Sequence, residues 1–443
     1  MTTEPDSLIR ELHAPSVWPR SAVHAPGGDV SLAGVSLAEL AAHHGTPVYV
    51  LDETEVRSRA RAWRAALPDA EVVYAAKAFV CRAVVDWMAE EGLGLDVCSA
   101  GELELAATRG FPPERLVLHG NAKSPRDLGT ALRLGVGRIV IDADSEIARI
   151  AAQVPPRTAQ KVLVRVLPGI EAGAHPKVRT GAEGQKFGLS IANGDAEDAV
   201  VRVLGQPGLD LAGLHCHLGS QIASAEPYGE AVRRLVAFLA RIRDRHGVTL
   251  SELDLGGGFA AAYLPGDPAP PPVAYGRRIT DELTRSCAEF GFPLPRLTVE
   301  PGRSIMASAG VALYRVLSVK RTGGQVFVAV DGGMSDNPRP ALYGARYTVR
   351  MVGRTTTAPM RATTVVGRHC EAGDVLAQDV ELPEDVRPGD ILAVPASGAY
   401  QVSMASGYNM TGRPPVVAVS GGRARLLLRR ETFEDQRGRD VGV

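Results

Sequence analysis

The sequence predicts a (β/α)8 barrel of the TIM type followed by a C-terminal all-β domain, a β-sandwich or small β-barrel. Two observations carry this reading. Between about residues 70 and 300, eight short apolar runs alternate with Ala-, Leu- and Arg-rich stretches of helical character. Such alternation implies a parallel sheet, because parallel neighbours need a crossover, and eight units favour a closed barrel over an open sheet. After about residue 305 the helical stretches thin out, and Gly- and Pro-bearing turns separate the apolar runs. That is the pattern of an all-β unit.

Taken in order, the barrel runs are 72–76, 93–98, 115–119, 138–142, 161–166, 211–217, 252–255 and 296–300. Between them lie plausible amphipathic helices. The stretch from Ser99 to Ala106, for instance, opens on a Ser with a Glu three positions on, a capping-box pattern. The β-domain runs are 311–320, 325–330, 361–366, 390–394, 416–419 and 423–428. The resulting division is an N-terminal segment 1–48 that packs with the β domain, a barrel over 49–308 and a β domain over 309–443. The run 48–51 could join either neighbour. The proline cluster 265–272 reads as a surface loop.

Composition excludes several classes. With 443 residues, 45% hydrophobic and 22% charged, the chain can build large cores. A formal net charge of −1 and the lack of any Lys/Arg run argue against a nucleic-acid partner or an anionic membrane surface. No apolar stretch approaches a membrane span, and the first twenty residues carry acids and prolines rather than a secretory signal. The five cysteines, Cys81, Cys98, Cys216, Cys287 and Cys370, have no metal-type spacing and suggest reduced thiols in a cytoplasm.

In a barrel of this kind chemistry sits at the C-terminal ends of the strands. Those ends read Lys77, Asp96, His119-Gly120-Asn121, Asp142, Arg165, His215 with His217, Gly256-Gly257-Gly258, and Glu300-Pro301-Gly302-Arg303. Packing alone would place Ala, Ser or Gly at most of them. Lys77 ends the run Val72-Val73-Tyr74-Ala75-Ala76. A lysine closing a buried strand is expected to have its ammonium pressed into a low-dielectric pocket, which favours the nucleophilic amine; a strand-end lysine that simply reaches solvent is the plainer alternative. Three glycines at 256–258 let backbone N–H groups approach an anion. They follow the seventh strand, and Gly302 and Arg303 follow the eighth, the usual phosphate position of this fold.

A phosphate site and a strand-end lysine together suggest pyridoxal phosphate, with Lys77 as the Schiff-base residue. Glu300 is placed to hold a proton on the ring nitrogen; an ion pair with Arg303 is its bland alternative. His217 could lie against the ring. His215-Cys216-His217 also looks like a metal pair, but no third ligand stands at a sensible spacing, so no metal is expected.

The motifs Tyr74-Ala75-Ala76-Lys77-Ala78, His119-Gly120-Asn121, His215 to Gln221, Gly256-Gly257-Gly258 and Glu300 to Arg303 recur in one known family. So do Asp331-Gly332-Gly333-Met334, Arg339 to Tyr343, His369 to Asp374 and Gly398-Ala399-Tyr400 in the β half. From about residue 45 to 435 the chain resembles the diaminopimelate decarboxylases, alanine-racemase-like enzymes that use pyridoxal phosphate. The resemblance implies decarboxylation of meso-2,6-diaminopimelate to L-lysine, in lysine biosynthesis. By the same resemblance Lys77 would carry the cofactor and His217 would stack on it. Asp96 would belong to the cofactor site, and Ser220, Gly256, Gly257, Gly258, Gly302, Arg303 and Tyr400 would hold the phosphate or its surroundings. Glu300 would pair with the ring nitrogen, and Cys370 would protonate the carbanion. Arg303 and Arg339 would clamp a distal carboxylate and Glu371 a distal ammonium, with Tyr343 and Tyr400 beside them. The family's thiol comes from a second subunit, which implies a head-to-tail homodimer with shared sites.

Three departures leave the substrate open: Ala122 where a second Asn often follows Asn121, Gln401 after Gly-Ala-Tyr, and a loosely matching insertion from Gly169 to Gly188 that is expected to cover the site. A paralogous decarboxylase of another D-amino acid or of a carrier-bound one therefore stays in view. A racemase of the same fold would place arginine at the ring nitrogen, against Glu300. A non-catalytic cofactor-binding pseudoenzyme would be expected to lose Lys77 or Cys370.

Overall fold

Eight parallel strands close on themselves: β1 Glu71–Ala75, β2 Gly94–Val97, β3 Leu116–Leu118, β4 Arg138–Ile141, β5 Gln160–Leu167, β6 Leu209–His215, β7 Glu252–Asp254 and β8 Arg296–Val299. The ring shuts where β8 pairs with β1, Val299 opposite Val72. The computed structural model describes residues 17–172, 181 and 184–442. The chain forms two compact units: 57–260 with 270–303, the barrel, and 1–56 with 261–269 and 304–443.

Side chains from several strands meet inside the barrel. Val73, Val117, Val140, Leu163 and Ala212 form one apolar cluster, the filled interior this fold requires. Below it, at the strands' N-terminal ends, charges close the barrel. Buried Arg138 pairs with Glu71 at 2.8 Å and with Glu252, which also meets Lys161 at 3.3 Å and Arg296 at 3.1 Å. Every member of this group is the first or second residue of a strand, so it braces the rim opposite the strand ends that carry the polar motifs. Between strands, helix starts follow local chemistry. Ser99 caps helix Ala100–Thr108 by accepting from Glu102 N at 3.3 Å, although Glu102 turns to Cys98 N and leaves the box half formed. Ser124 and Asp127 form a complete capping box on helix Pro125–Leu134.

The other unit is a mixed sheet in the order Val375–Pro383, Met360–Val366, Gln325–Val330, Gly310–Thr322, Val48–Asp52, Val416–Ser420, Arg423–Leu428. Ile391–Pro395 pairs with the first part of Gly310–Thr322 and with Arg350–Val352. Two sequence expectations change here. The stretch read as the barrel's start at residue 49 lies instead in strand Val48–Asp52 of this sheet. That strand is buried at all five positions and needs neighbours on both sides, which Gly310–Thr322 and Val416–Ser420 supply. The strand Val375–Pro383 escaped notice because Gln378, Asp379 and Glu381 interrupt its apolar pattern, and Asp379 has a φ of +53° within an irregular pairing.

Val30, Leu32, Leu37 and Leu40 of the N-terminal segment share a core with Val48, Val311, Leu313 and Val417 of the sheet. Among the described residues no helix is long and apolar enough to cross a membrane. Most of the insertion between Gly169 and Gly188, including 174–179, lies outside the described residues.

Candidate active site

Lys77 stands two residues past β1, in a single 3-10 turn Ala76–Ala78. Its ammonium is not desolvated as the sequence suggested. The side chain is 42% exposed, and Nζ rests 3.2 Å from Oδ2 of Asp96, which is 1% exposed. The turn lifts the amine out of the barrel wall, and the buried Asp96 at the end of β2 fixes its direction. An ion pair rather than an apolar pocket therefore orients the amine.

On the neighbouring strand, Glu300 follows β8 and is buried. Its partner is not Arg303. Oε1 lies 2.7 Å from Nε2 of His119, a close contact off the line of a hydrogen bond, and Oε2 lies 3.6 Å from Nε2 of His215. Burial pushes the Glu300 carboxyl up, but the two imidazoles outweigh it and hold it well below the usual carboxylate range. Burial lowers His215 to about 4 against the pull of Glu300, so that ring is neutral. Asp254, the last residue of β7, completes the group. One donor atom from each of His119, His215, Asp254 and Glu300 lies within 4.8 Å of the others. The spacing argument against a ligand cluster around His215 therefore fails, since four separate strand ends deliver these groups together. As they stand, they form a close cluster of two carboxyls and two imidazoles, in which His119 Nε2, His215 Nε2, Asp254 Oδ2 and Glu300 Oε1 have no hydrogen-bond partner among the described residues.

His215 and His217 do not act as a pair. The strand stops at His215, and His217 lies beyond it, where Gly257 N donates to its Nδ1 at 3.1 Å. Burial, with the charges of Lys77 and Arg165, lowers His217 well below its ordinary value, so its ring too is neutral. The glycine turn is shaped by close approach. Gly256 has a φ of +63°, and a Cβ there would sit 2.5 Å from Cys216 O and 2.8 Å from His217 Nδ1. Gly258 has a φ of +98° and faces the carbonyl of Gly219. Only glycine fits at either position. Arg303 Nη2 donates to Ser220 Oγ at 3.0 Å, which joins the loops after β6 and β8. Gly302 packs on the end of β1, where a Cβ would meet Ala75 Cβ at 2.9 Å.

The barrel unit thus brings Lys77, Asp96, His217, Ser220, Gly256, Gly257, Gly258, Glu300, Gly302 and Arg303 to its C-terminal rim. Such a rim fits pyridoxal phosphate: a lysine, a cradle only glycine can line, a Ser–Arg pair and a buried carboxylate. Three groups escaped the sequence reading. Asp254 sits inside the apolar run Leu253-Asp254-Leu255, and that unusual place was its only signal. Tyr263 and Tyr347 carried none.

Arg339, Tyr343, Cys370, Glu371 and Tyr400 belong to the second unit. Arg339 opens helix Arg339–Tyr343 and is buried. Its guanidinium hydrogen-bonds the Tyr347 hydroxyl and lies 4.6 Å from the Tyr263 ring centre, with no carboxylate paired to it among the described residues. Cys370 and Glu371 are exposed on a turn held from beneath. There Asp374 accepts from His369 N at 2.7 Å and Met334 N at 2.6 Å, and His369 Nε2 lies 2.8 Å from Ser335 Oγ. Tyr400 has a φ of +59° in the turn after Ile391–Pro395.

Fold and rim define a barrel-based pyridoxal-phosphate enzyme. Residues 53–307 match the family model described as the pyridoxal-dependent decarboxylase, pyridoxal binding domain. The chain is 57% identical over 415 residues to the diaminopimelate decarboxylase of Actinosynnema pretiosum subsp. auranticum, covering 94% of this chain and 93% of that one. It is 47% identical over 438 residues to that of Mycobacterium tuberculosis, covering 95% and 97%. The crystal structure of the M. jannaschii diaminopimelate decarboxylase in complex with L-lysine superposes with a TM-score of 0.89 at 29% identity, covering 96% and 98%. The chain belongs to the diaminopimelate decarboxylase family of pyridoxal-phosphate-dependent carboxy-lyases.

Proposed function

We propose that the protein decarboxylates meso-2,6-diaminopimelate to L-lysine and carbon dioxide, as a cytoplasmic homodimer with shared sites. The observation that carries the substrate choice is Arg339, a buried cation between Tyr263 and Tyr347 with no carboxylate paired to it among the described residues. A substrate with a second carboxylate would satisfy it, whereas lysine or ornithine would leave it unpaired, which a buried site penalises. The Tyr347 hydroxyl already aims the fork. Glu371 would take the distal ammonium, and Arg303 and Tyr343 would add donors.

Bound pyridoxal phosphate supplies the electron sink for the bond between Cα and the carboxylate. Lys77 would tether the aldehyde carbon, oriented by Asp96, and yield its place to the substrate amine. The amides of Gly256, Gly257 and Gly258, with Ser220, Gly302, Arg303 and Tyr400, would grip the phosphate. His217, neutral and anchored by Gly257, would present its face to the ring. Glu300 would hold a proton on the ring nitrogen. Cys370 of the partner subunit would deliver its thiol proton to Cα as carbon dioxide leaves, which balances the lost carboxylate with a new C–H bond.

Incubation with meso-diaminopimelate, D-lysine, D-ornithine and L-lysine, following carbon dioxide, tests this reading. Release from meso-diaminopimelate alone is expected. Equal release from D-lysine or D-ornithine overturns the substrate assignment. A protein that shows no visible chromophore with pyridoxal phosphate, and no borohydride-trapped adduct on Lys77, overturns the whole.

A further inference from the structure

Two carboxyl groups, Asp254 and Glu300, are buried together at the barrel rim, with an oxygen of each within 4.8 Å of the other. In a dry site two such neighbours do not both ionise. The proton goes to the one whose close neighbours favour a negative charge less. Glu300 faces His119 at 2.7 Å and His215 at 3.6 Å. Among the described residues the Asp254 carboxyl has one hydrogen-bond donor, the Gly256 amide, 2.8 Å from Oδ1. Its Oδ2 is buried and receives no hydrogen bond among the described residues.

We propose that Asp254 is a positioning residue that stands as a neutral carboxylic acid, giving its Oδ2 proton to Glu300 while Oδ1 holds the amide of Gly256. One side chain then ties the glycine turn to the carboxylate across the rim. The backbone reinforces the tie, since Glu300 N donates to Gly256 O at 2.8 Å. The assignment rests on the reading of the glycines and Glu300 as the two ends of the cofactor site. The other groups whose charge or dipole bears on Asp254 are His119, His215, Cys216 and Arg138. Burial and then the charge of Glu300 push the Asp254 carboxyl well up, against the Gly256 amide, in the sense the geometry requires. Were Asp254 ionised instead, Glu300 would be driven to take the proton and could not hold one on a ring nitrogen.

Infrared difference spectra of the full chain without cofactor, labelled with 13C-aspartate, read the proton directly. A label-sensitive carboxylic-acid C=O band is expected in the parent protein at neutral pH and is expected to vanish in Asp254→Asn. Titration with pyridoxal phosphate reads the positioning. Asp254→Asn still offers an N–H to Glu300 and a C=O to Gly256, so its affinity should stay within about tenfold of the parent. Asp254→Ala offers neither, and its affinity should fall about a hundredfold. Absence of the acid band in the labelled parent, which needs no variant to fold, overturns the proposal. So does an Asn variant that weakens as far as the Ala variant. If the parent binds no cofactor at Lys77, the functional reading fails while the infrared result still decides the state of Asp254.

Discussion

Arg303 Nη2 donates to Ser220 Oγ at 3.0 Å, although 83 residues separate them in the chain. The loop after β6 and the turn after β8 are thereby one surface, next to the glycine turn after β7. An anion seated there would meet a side-chain cation, a hydroxyl and backbone amides from three consecutive strand ends.

Gly256→Ala should weaken pyridoxal-phosphate binding about ten- to a hundredfold, since a positive-φ alanine pressed on Cys216 O and His217 Nδ1 costs about 1–3 kcal/mol. Cofactor titration by absorbance checks it. An unchanged affinity would mean that this turn does not hold the phosphate.

Cys370→Ala should retain the cofactor and lose about 10²- to 10⁴-fold in kcat, the usual worth of a positioned proton donor. The thiol is exposed on a turn braced by Asp374 and His369, so its removal leaves that bracing intact. Full turnover would take Cys370 out of the reaction.

His215 gives a pH dependence of stability. Its folded pKa, about 4, lies below the ordinary 6.5, so between these values the unfolded chain binds more protons. Its contribution is full above pH 6.5 and is lost as pH falls toward 4, by at most about 3 kcal/mol. Melting temperatures from pH 7.5 to 4.5 should therefore fall less steeply in His215→Gln than in the parent. Parallel curves would contradict this account.

Gln401 is fully buried, and neither atom of its amide has a hydrogen-bond partner among the described residues. An apolar residue of like size relieves that cost, so Gln401→Met should stabilise the protein by about 1–3 kcal/mol in denaturant melts. A loss of stability would show that the amide is satisfied in the native protein.

The alternation of apolar runs determined the barrel by itself, because parallel strands require crossovers and every run falls within a residue or two of a strand. The same register put Lys77, Asp96, the glycines and Glu300 at strand ends, since in this fold position along a strand fixes the rim. Sequence could not reveal what each group faces. That Lys77 is exposed on Asp96, that Glu300 answers to His119 and His215 rather than to nearby Arg303, and that Asp254 reaches it at all depend on barrel closure. Closure brings residues tens to hundreds of positions apart within a few ångströms, and no local spacing records it. The strand Val48–Asp52 shows the same limit in the other unit, where its partners Gly310–Thr322 and Val416–Ser420 lie more than 250 residues away. Local propensity chooses the element, while burial of both its faces chooses the sheet.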